Sequence, residues 1–294
     1  MTPSNSPPPA PRIRRLVAGH AALRGVDVYL LSYPKAGRTW LRALIGKALV
    51  DRYGLPEAQL LDTPLLTRAA GLPVAAFDHD QSALKLGLRW QDMPTDRSAY
   101  RGKRVLLLGR DVRDNLVSAY FQATRRINVY AGPISAFIRD EAYGIEKMLA
   151  FYRIWAANRH VPTAFEFVTY EDLHRDAAGT LGRALAFIGT DVPRAVLEAA
   201  VDYCRFDNLR RAEIEDRFKN DALRPARSDD PATFKVREGK VGNFKEHLSR
   251  DDIAYVDAAN AARGCEFTRS AARPATDAGR EIWGTTQSII DKGR

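Results

Sequence analysis

Apolar residues recur at two different periods along this chain, and the periods alternate. Residues 26–31 are a short β-branched, apolar run that reads as a buried strand. Directly after it, Trp40, Leu41, Leu44, Ile45 and Leu49 fall at helical spacing over residues 39–53. A short apolar run follows at 74–77, a stronger strand at 105–108, and a helix from about Val112 through Arg125. Residues 134–158 read as one long helical region with Phe137, Ile138, Met148, Leu149, Tyr152 and Trp155 as its apolar positions. A strand at 164–169 precedes helices at 180–187 and 194–203. Strands alternating with helices predict an α/β fold: a central parallel β-sheet flanked by helices on both faces.

The remaining segments set boundaries. Residues 1–15, with Pro7, Pro8 and Pro9 beside Ser and Asn, bury too little surface to offset ordering and read as a disordered tail. That leaves 16–294 as a single domain. The stretch 208–245 is highly charged and poor in apolar residues, so it reads as a long loop, a functional lid or a disordered segment. Ser249, Arg250, Asp251 and Asp252 form a capping box opening a C-terminal helix. No internal repeat is visible.

Composition adds a constraint on ligands. A hydrophobic fraction of 45% and a charged fraction of 28% are those of a soluble globular protein. The formal net charge of +9 favours polyanionic ligands without choosing among them. Two cysteines, Cys204 and Cys265, with no CxxC pair, support neither a structural zinc nor a disulfide framework. No signal-peptide pattern opens the chain and no run approaches a membrane span, so a cytoplasmic protein without membrane insertion is expected.

The chemistry starts where the first strand meets the first helix, at YPKAGRTW, residues 33–40. Pro34 discourages Tyr33 from the α region, and Gly37 lets the backbone turn or approach a ligand without a Cβ clash. Free amides at the helix start, with Lys35, Arg38 and Thr39 beside them, suit a phosphate or phosphosulfate. The loop is P-loop-like but not a Walker A loop. GxxxxGK[ST] needs a first glycine where Ser32 stands and a lysine where Arg38 stands. A second strand end, at 105–108, runs into Arg110, Asp111, Arg113 and Asp114, with Ser118 eight residues beyond Arg110. Taken alone, these charges read equally as a surface cluster capping a helix. In a parallel sheet the two strand ends share one edge, which is where open α/β sheets bind ligands.

Together the two elements resemble the cofactor signatures of the sulfotransferase family that uses 3′-phosphoadenosine 5′-phosphosulfate (PAPS). Residues 33–40 resemble its YPKSGTTW loop, which holds the 5′-phosphosulfate, and residues 110–120 resemble RxxxDxxxSxY, whose Arg and Ser hold the 3′-phosphate. Further matches follow in the family's order. Residues 169–173 resemble a YEDL segment, Phe206 to Leu209 the SFxxM segment near the adenine, and 237–245 the RKGxxGDWK loop that also reaches the 3′-phosphate. The resemblance spans roughly residues 26–248. It implies PAPS as co-substrate with no metal, and binding by Lys35, Ala36, Gly37, Arg38, Thr39, Trp40, Arg110, Ser118, Tyr170, Phe206, Arg237 and Gly239, with Trp40, Phe206 and Tyr170 as candidates to pack on adenine. Departures are visible: Ala36 replaces Ser, Arg38 replaces Thr, Glu238 stands where the family has Lys, and Asn243 and Phe244 replace Asp and Trp. The KxxxTVxxxE dimer motif is absent, which leaves oligomeric state open.

Sulfuryl transfer parallels phosphoryl transfer, so a cation is needed where charge grows on the departing phosphate, and Lys35 is the candidate. A hydroxyl acceptor must lose a proton. Among His20, His79, His160, His174 and His247, His79 lies just after a short apolar run in the gap between the two cofactor motifs, which is where the resemblance to the family places the catalytic base. The animal KTHLP context is not reproduced, and the setting Phe77, Asp78, His79, Asp80 resembles bacterial members, with an adjacent carboxylate as the expected orienter of the ring. Two other readings remain at this stage: a P-loop kinase or NTPase, and a non-enzymatic basic module binding nucleic acid or glycan. The first lacks the Walker lysine, and the second lacks clustered positive charge and any nucleic-acid-binding motif. The acceptor, a small molecule or glycan offering a hydroxyl or an amine, is expected in a pocket built from residues 55–73, 122–145 and 208–236, where Arg125, Arg126 and the arginines of 210–227 would tolerate an anion.

Overall fold

The computed structural model describes residues 25–224, 233–237 and 239–270. The Pro-rich segment 1–15 and Glu238 lie outside the described residues. Four strands form one parallel sheet: β1 (Val28–Ser32), β2 (Ala75–Asp78), β3 (Arg104–Gly109) and β4 (Ala164–Thr169), in the order β2-β1-β3-β4. All five residues of β1 are buried, as expected for a central strand covered on both faces. The two faces divide by alternation. Val28 and Leu30 of β1 and Leu106 and Leu108 of β3 join one core cluster. Tyr29, Leu31, Val105 and Leu107 join the other.

The first cluster is closed by α1 (Arg38–Tyr53), α2 (Thr63–Ala69), α5 (Tyr170–Arg175), α6 (Ala177–Ile188), α7 (Arg194–Tyr203) and α8 (Phe206–Ile214). The second is closed by α3 (Val112–Phe121), α4 (Ile145–Asn158), α9 (Arg250–Arg263) and α10 (Glu266–Ser270). A π-helical turn, Gln122–Arg126, extends α3 toward the end expected for it. Cys204 is fully buried, and burial pushes its thiol up out of the reactive range.

Three expectations need correction. The helical region 134–158 is broken into one turn, Ile134–Phe137, and α4. The Ile145 amide reaches back to the Ile138 carbonyl at 3.0 Å, and a Cβ at Gly144 would stand 2.5 Å from that same oxygen. The charged stretch from 208 is not a loop throughout. It opens inside α8, where Leu209, Ala212 and Glu213 are buried, so a few inward positions suffice on a helix that is otherwise polar. Ser249 caps α9 by accepting from the Asp252 amide at 3.1 Å, yet the Asp252 carboxylate accepts from the Ser249 and Ser135 hydroxyls and from Arg139, not from the Ser249 amide. The reciprocal capping box sits at α5, between Thr169 and Asp172.

Candidate active site

The chain leaves β1 toward β2 on one side and leaves β3 toward β4 on the other, which opens a crevice between the carboxyl ends of β1 and β3. Register aligns these ends: Ser32 pairs with Leu108, Leu31 with Asp78, and Gly109 with Thr169. Arg110 spans the crevice. Its Nη1 donates to the Lys35 carbonyl and its Nη2 to the Lys240 carbonyl, each at 3.2 Å, while its guanidinium lies 4.3 Å from the centre of the Tyr170 ring. A cavity of about 600 Å³ opens here, bringing Lys35, Arg110, Ser118, Tyr170, Phe206 and Arg237 together with His79.

The loop 33–37 is shaped by two left-handed residues, Lys35 at φ 73° and Gly37 at φ 100°. Glycine at 37 is required twice over, because a Cβ there would stand 2.5 Å from the Tyr170 ring. The Arg38 and Thr39 amides at the start of α1 have no intrahelical acceptors and sit at the positive end of the helix dipole, whereas the Trp40 amide already donates to the Gly37 carbonyl at 3.0 Å. Ala36 is placed differently from its neighbours: its methyl is buried in the core, and its amide donates to the Tyr33 carbonyl at 3.3 Å. Thr39 Oγ1 donates to the Ala222 carbonyl at 3.3 Å. Trp40 is packed edge-on against Tyr170 and His174 with little exposure, although its rim lines the cavity. Gly239 also lines it, and Arg237 lies 4.0 Å from the centre of the Phe121 ring.

The electrostatics of the cavity are those of crowded cations. Burial, then Arg126, with Arg110 and Arg237 beyond, lowers the Lys35 ammonium to about 7 against a smaller opposing pull from Glu213. Lys235 is lowered to about 7 by burial, Arg126, Lys35, Arg38 and Arg42. Arg38 falls to about 10 through burial and the neighbouring Arg42. A polyanion in the cavity would relieve this repulsion.

Two buried carboxylates, Asp114 and Glu213, hold the walls. Asp114 accepts from the Gly242 amide at 2.6 Å and the Phe244 amide at 2.9 Å, which pins the loop carrying Arg237, Gly239 and Lys240 to α3. Glu213 accepts from the Lys235 amide at 2.7 Å and the Val236 amide at 2.9 Å, with Arg126 at 3.7 Å. The Asp of RxxxDxxxSxY was visible as a motif position. Lys235 and Glu213 carried no signal, because a charged residue in a charged stretch looks the same whether it is solvated or buried.

His79 lines the cavity and its Nδ1 stands 2.9 Å from the Ser32 carbonyl oxygen. A carbonyl only accepts, so Nδ1 carries the proton and Nε2 keeps its lone pair. Burial, Arg38, Arg42 and Lys235 hold the imidazole well below the ordinary histidine range, against a smaller raising effect of the Ser32 contact. The orienting group is therefore a backbone carbonyl, not an adjacent carboxylate. Asp78 accepts from the Asp80 amide at 2.5 Å, and Asp80 turns into the core toward Arg97, Tyr100 and Trp155. His174 is buried beside Trp40 and pushed down to about 3 by burial and Arg110. Among the described residues, no group of three or more His, Cys, Asp and Glu could hold a metal ion, and no helix is long and apolar enough to cross a membrane.

Known proteins place this arrangement. The family described as sulfotransferase domain matches residues 26–266. Flavonol 3-sulfotransferase from Flaveria bidentis is 24% identical over 256 residues, covering 79% of each chain. Cytosolic sulfotransferase 14 from Arabidopsis thaliana is 26% identical over 281 residues, covering 83% of this chain and 78% of its own. Sulfotransferase 2B1 from Homo sapiens is 25% identical over 236 residues, covering 77% of this chain and 63% of its own. These relatives are plant and human proteins and lend nothing to the bacterial-type reading of the His79 setting. The crystal structure of mouse sulfotransferase SULT7A1 complexed with PAP aligns with a TM-score of 0.60 at 18% identity, covering 92% of this chain and 93% of its own. That of retinol dehydratase with androsterone and the inactive cofactor PAP aligns with a TM-score of 0.57 at 18% identity, covering 82% and 81%. With the family model matched over residues 26–266, the chain belongs to the sulfotransferase family.

Proposed function

We propose that this protein transfers a sulfuryl group to a hydroxyl acceptor, with Lys35 at the leaving phosphate and His79 as the base. The observation that carries this reading is the meeting of three strand ends: Arg110 bonded to the Lys35 backbone across the β1–β3 crevice, and His79 bonded to Ser32 on the β1–β2 side. The residues fit PAPS. Cations at Lys35, Arg110 and Arg237 crowd one cavity, and Arg110 Nε is buried there with no hydrogen-bond partner among the described residues. In this reading the first-turn amides and Lys35 hold the 5′ end, and Arg110, Ser118, Arg237 and Gly239 hold the 3′-phosphate. Tyr170, Phe206 and the rim of Trp40 are the adenine side.

When bound, PAPS supplies the sulfuryl group and departs as PAP. His79 Nε2 takes the acceptor hydroxyl proton as the new oxygen–sulfur bond forms. Lys35 stabilises the charge that grows on the phosphate oxygen as the old one breaks. Its lowered pKa marks a site whose cations are short of counter-charge, and an anion beside it favours the ammonium form.

PAP without magnesium should raise the thermal midpoint of the purified protein in a saturable way, because a ligand of the native state stabilises it. Stabilisation by Mg·ATP alone would point instead to a kinase- or NTPase-like enzyme. The relatives named for flavonols support a small hydroxylated acceptor. A screen of hydroxyl compounds with labelled PAPS tests that class.

A further inference from the structure

Among the described residues, the cavity carries more positive charge than one PAPS molecule neutralises: nine cationic side chains line it against two carboxylates, Asp114 and Asp221, and Glu213 adds a third behind them. PAPS brings roughly four negative charges, a phosphomonoester among them.

The surplus is not spread evenly. Sheet order β2-β1-β3 puts Lys35 in the middle, with Arg110 on the β3 side and His79 on the β2 side. Arg38 and Arg42, one turn apart on α1, belong to the β2 side: the Arg42 guanidinium lies 4.8 Å from the centre of the Phe77 ring of β2. Arg42 Nε is buried without a hydrogen-bond partner among the described residues, and the Arg38 side chain makes no hydrogen bond or ion pair to a described residue. Lys235 completes the group, its Nζ donating to the Asp221 carbonyl. Its charge acts on His79, and those of Arg38 and Arg42 act on it in turn. Apolar lining continues beside them at Ala83, Leu84 and Ile127.

We propose that the acceptor is itself an anion, a hydroxyl compound with an apolar body whose carboxylate is held by Arg38 and Lys235 while its hydroxyl faces His79. This rests on the sulfotransferase reading of the site and adds the acceptor's charge to it. The cations near His79 then have two roles: they keep the imidazole in its neutral, proton-accepting form, and they select the acceptor.

Thermal unfolding of the PAP-saturated protein tests this, with 4-hydroxyphenylacetate and 3-(4-hydroxyphenyl)propanoate titrated beside their uncharged methyl esters. The acids should raise the midpoint saturably and the esters should not. Lys235→Gln, and independently Arg38→Gln, should raise the half-saturating concentration of the acids at least tenfold with PAP held at saturation. Acids no better than their esters, or an acid response that survives both substitutions, overturns the proposal. The second result would mean that the cations serve the transferred group alone. The arm with PAP by itself reports separately on the co-substrate, so its failure would count against the sulfotransferase reading and not against the acceptor's charge.

Discussion

Ser32 and His79 meet across the β1–β2 edge, the Ser32 carbonyl oxygen 2.9 Å from His79 Nδ1. The register that pairs Leu31 with Asp78 brings the next residue of each strand side by side, so sheet geometry sets the tautomer. Replacing His79 with Ala should lower kcat by about 10²- to 10⁴-fold, the usual contribution of a positioned base. PAP half-saturation, read by thermal shift, should stay unchanged, and unchanged kcat would remove His79 from the reaction.

The same residue makes a pH prediction. His79 is held below the ordinary histidine range, so it remains a neutral base as pH falls through 6.5. The acid limb of kcat/KM should therefore lie below pH 6.5, and it should disappear in whatever activity His79→Ala retains.

Lys35 and Lys235 both sit near pKa 7 in the ligand-free protein. A bound polyanion raises both, so binding takes up protons above pH 7. Affinity for PAP should then fall as pH rises from 7 toward the bound-state values, and Lys35→Arg should flatten part of that decline because arginine stays charged throughout. Isothermal titration in buffers of different ionisation enthalpy measures the proton uptake directly.

Behind His79, Arg97 and Asp80 form a buried ion pair with Nε and Oδ2 2.7 Å apart. Tyr100 and Trp155 donate to the same carboxylate at 2.9 and 2.8 Å, while Asp80 and Gln81 are held at positive φ. Arg97→Met leaves the carboxylate buried without its counter-ion and should cost about 3–5 kcal/mol in denaturant unfolding. Activity should fall with it, since the strained turn adjoins the base.

Asp114→Ala removes the acceptor of two loop amides. Hydrogen bonds to a charged group contribute about 1.5–3 kcal/mol each, so the loop that carries Arg237 and Gly239 should loosen. PAP affinity should fall at least tenfold, read by calorimetry, with α3 intact by circular dichroism.

The strands were legible because a doubly covered parallel sheet needs short, continuous apolar runs; β4 and α7 lie at their expected bounds. The break before α4 was not, since Phe137 and Ile138 keep helical spacing with the residues beyond it while Gly144 approaches the Ile138 carbonyl. Helix α8 was hidden because its inward face includes Glu213, a carboxylate that satisfies backbone amides instead of water.

Residue identity alone determined the loop at 33–40 and the placing of Arg110 at a strand end, while the preference for His79 among five histidines came from its position relative to the sulfotransferase motifs. The first two depend on neighbours close in the chain: a glycine that can turn, and a strand followed by a helix. The tertiary structure decided the partners: Ser32 rather than a carboxylate at His79, Asp114 and Glu213 as supports of the cavity wall, and Lys235 beside the base. These contacts join residues from 22 to 156 positions apart. Only the packed sheet and its covering helices bring such groups together, and only their removal from water makes one buried charge change the basicity of another.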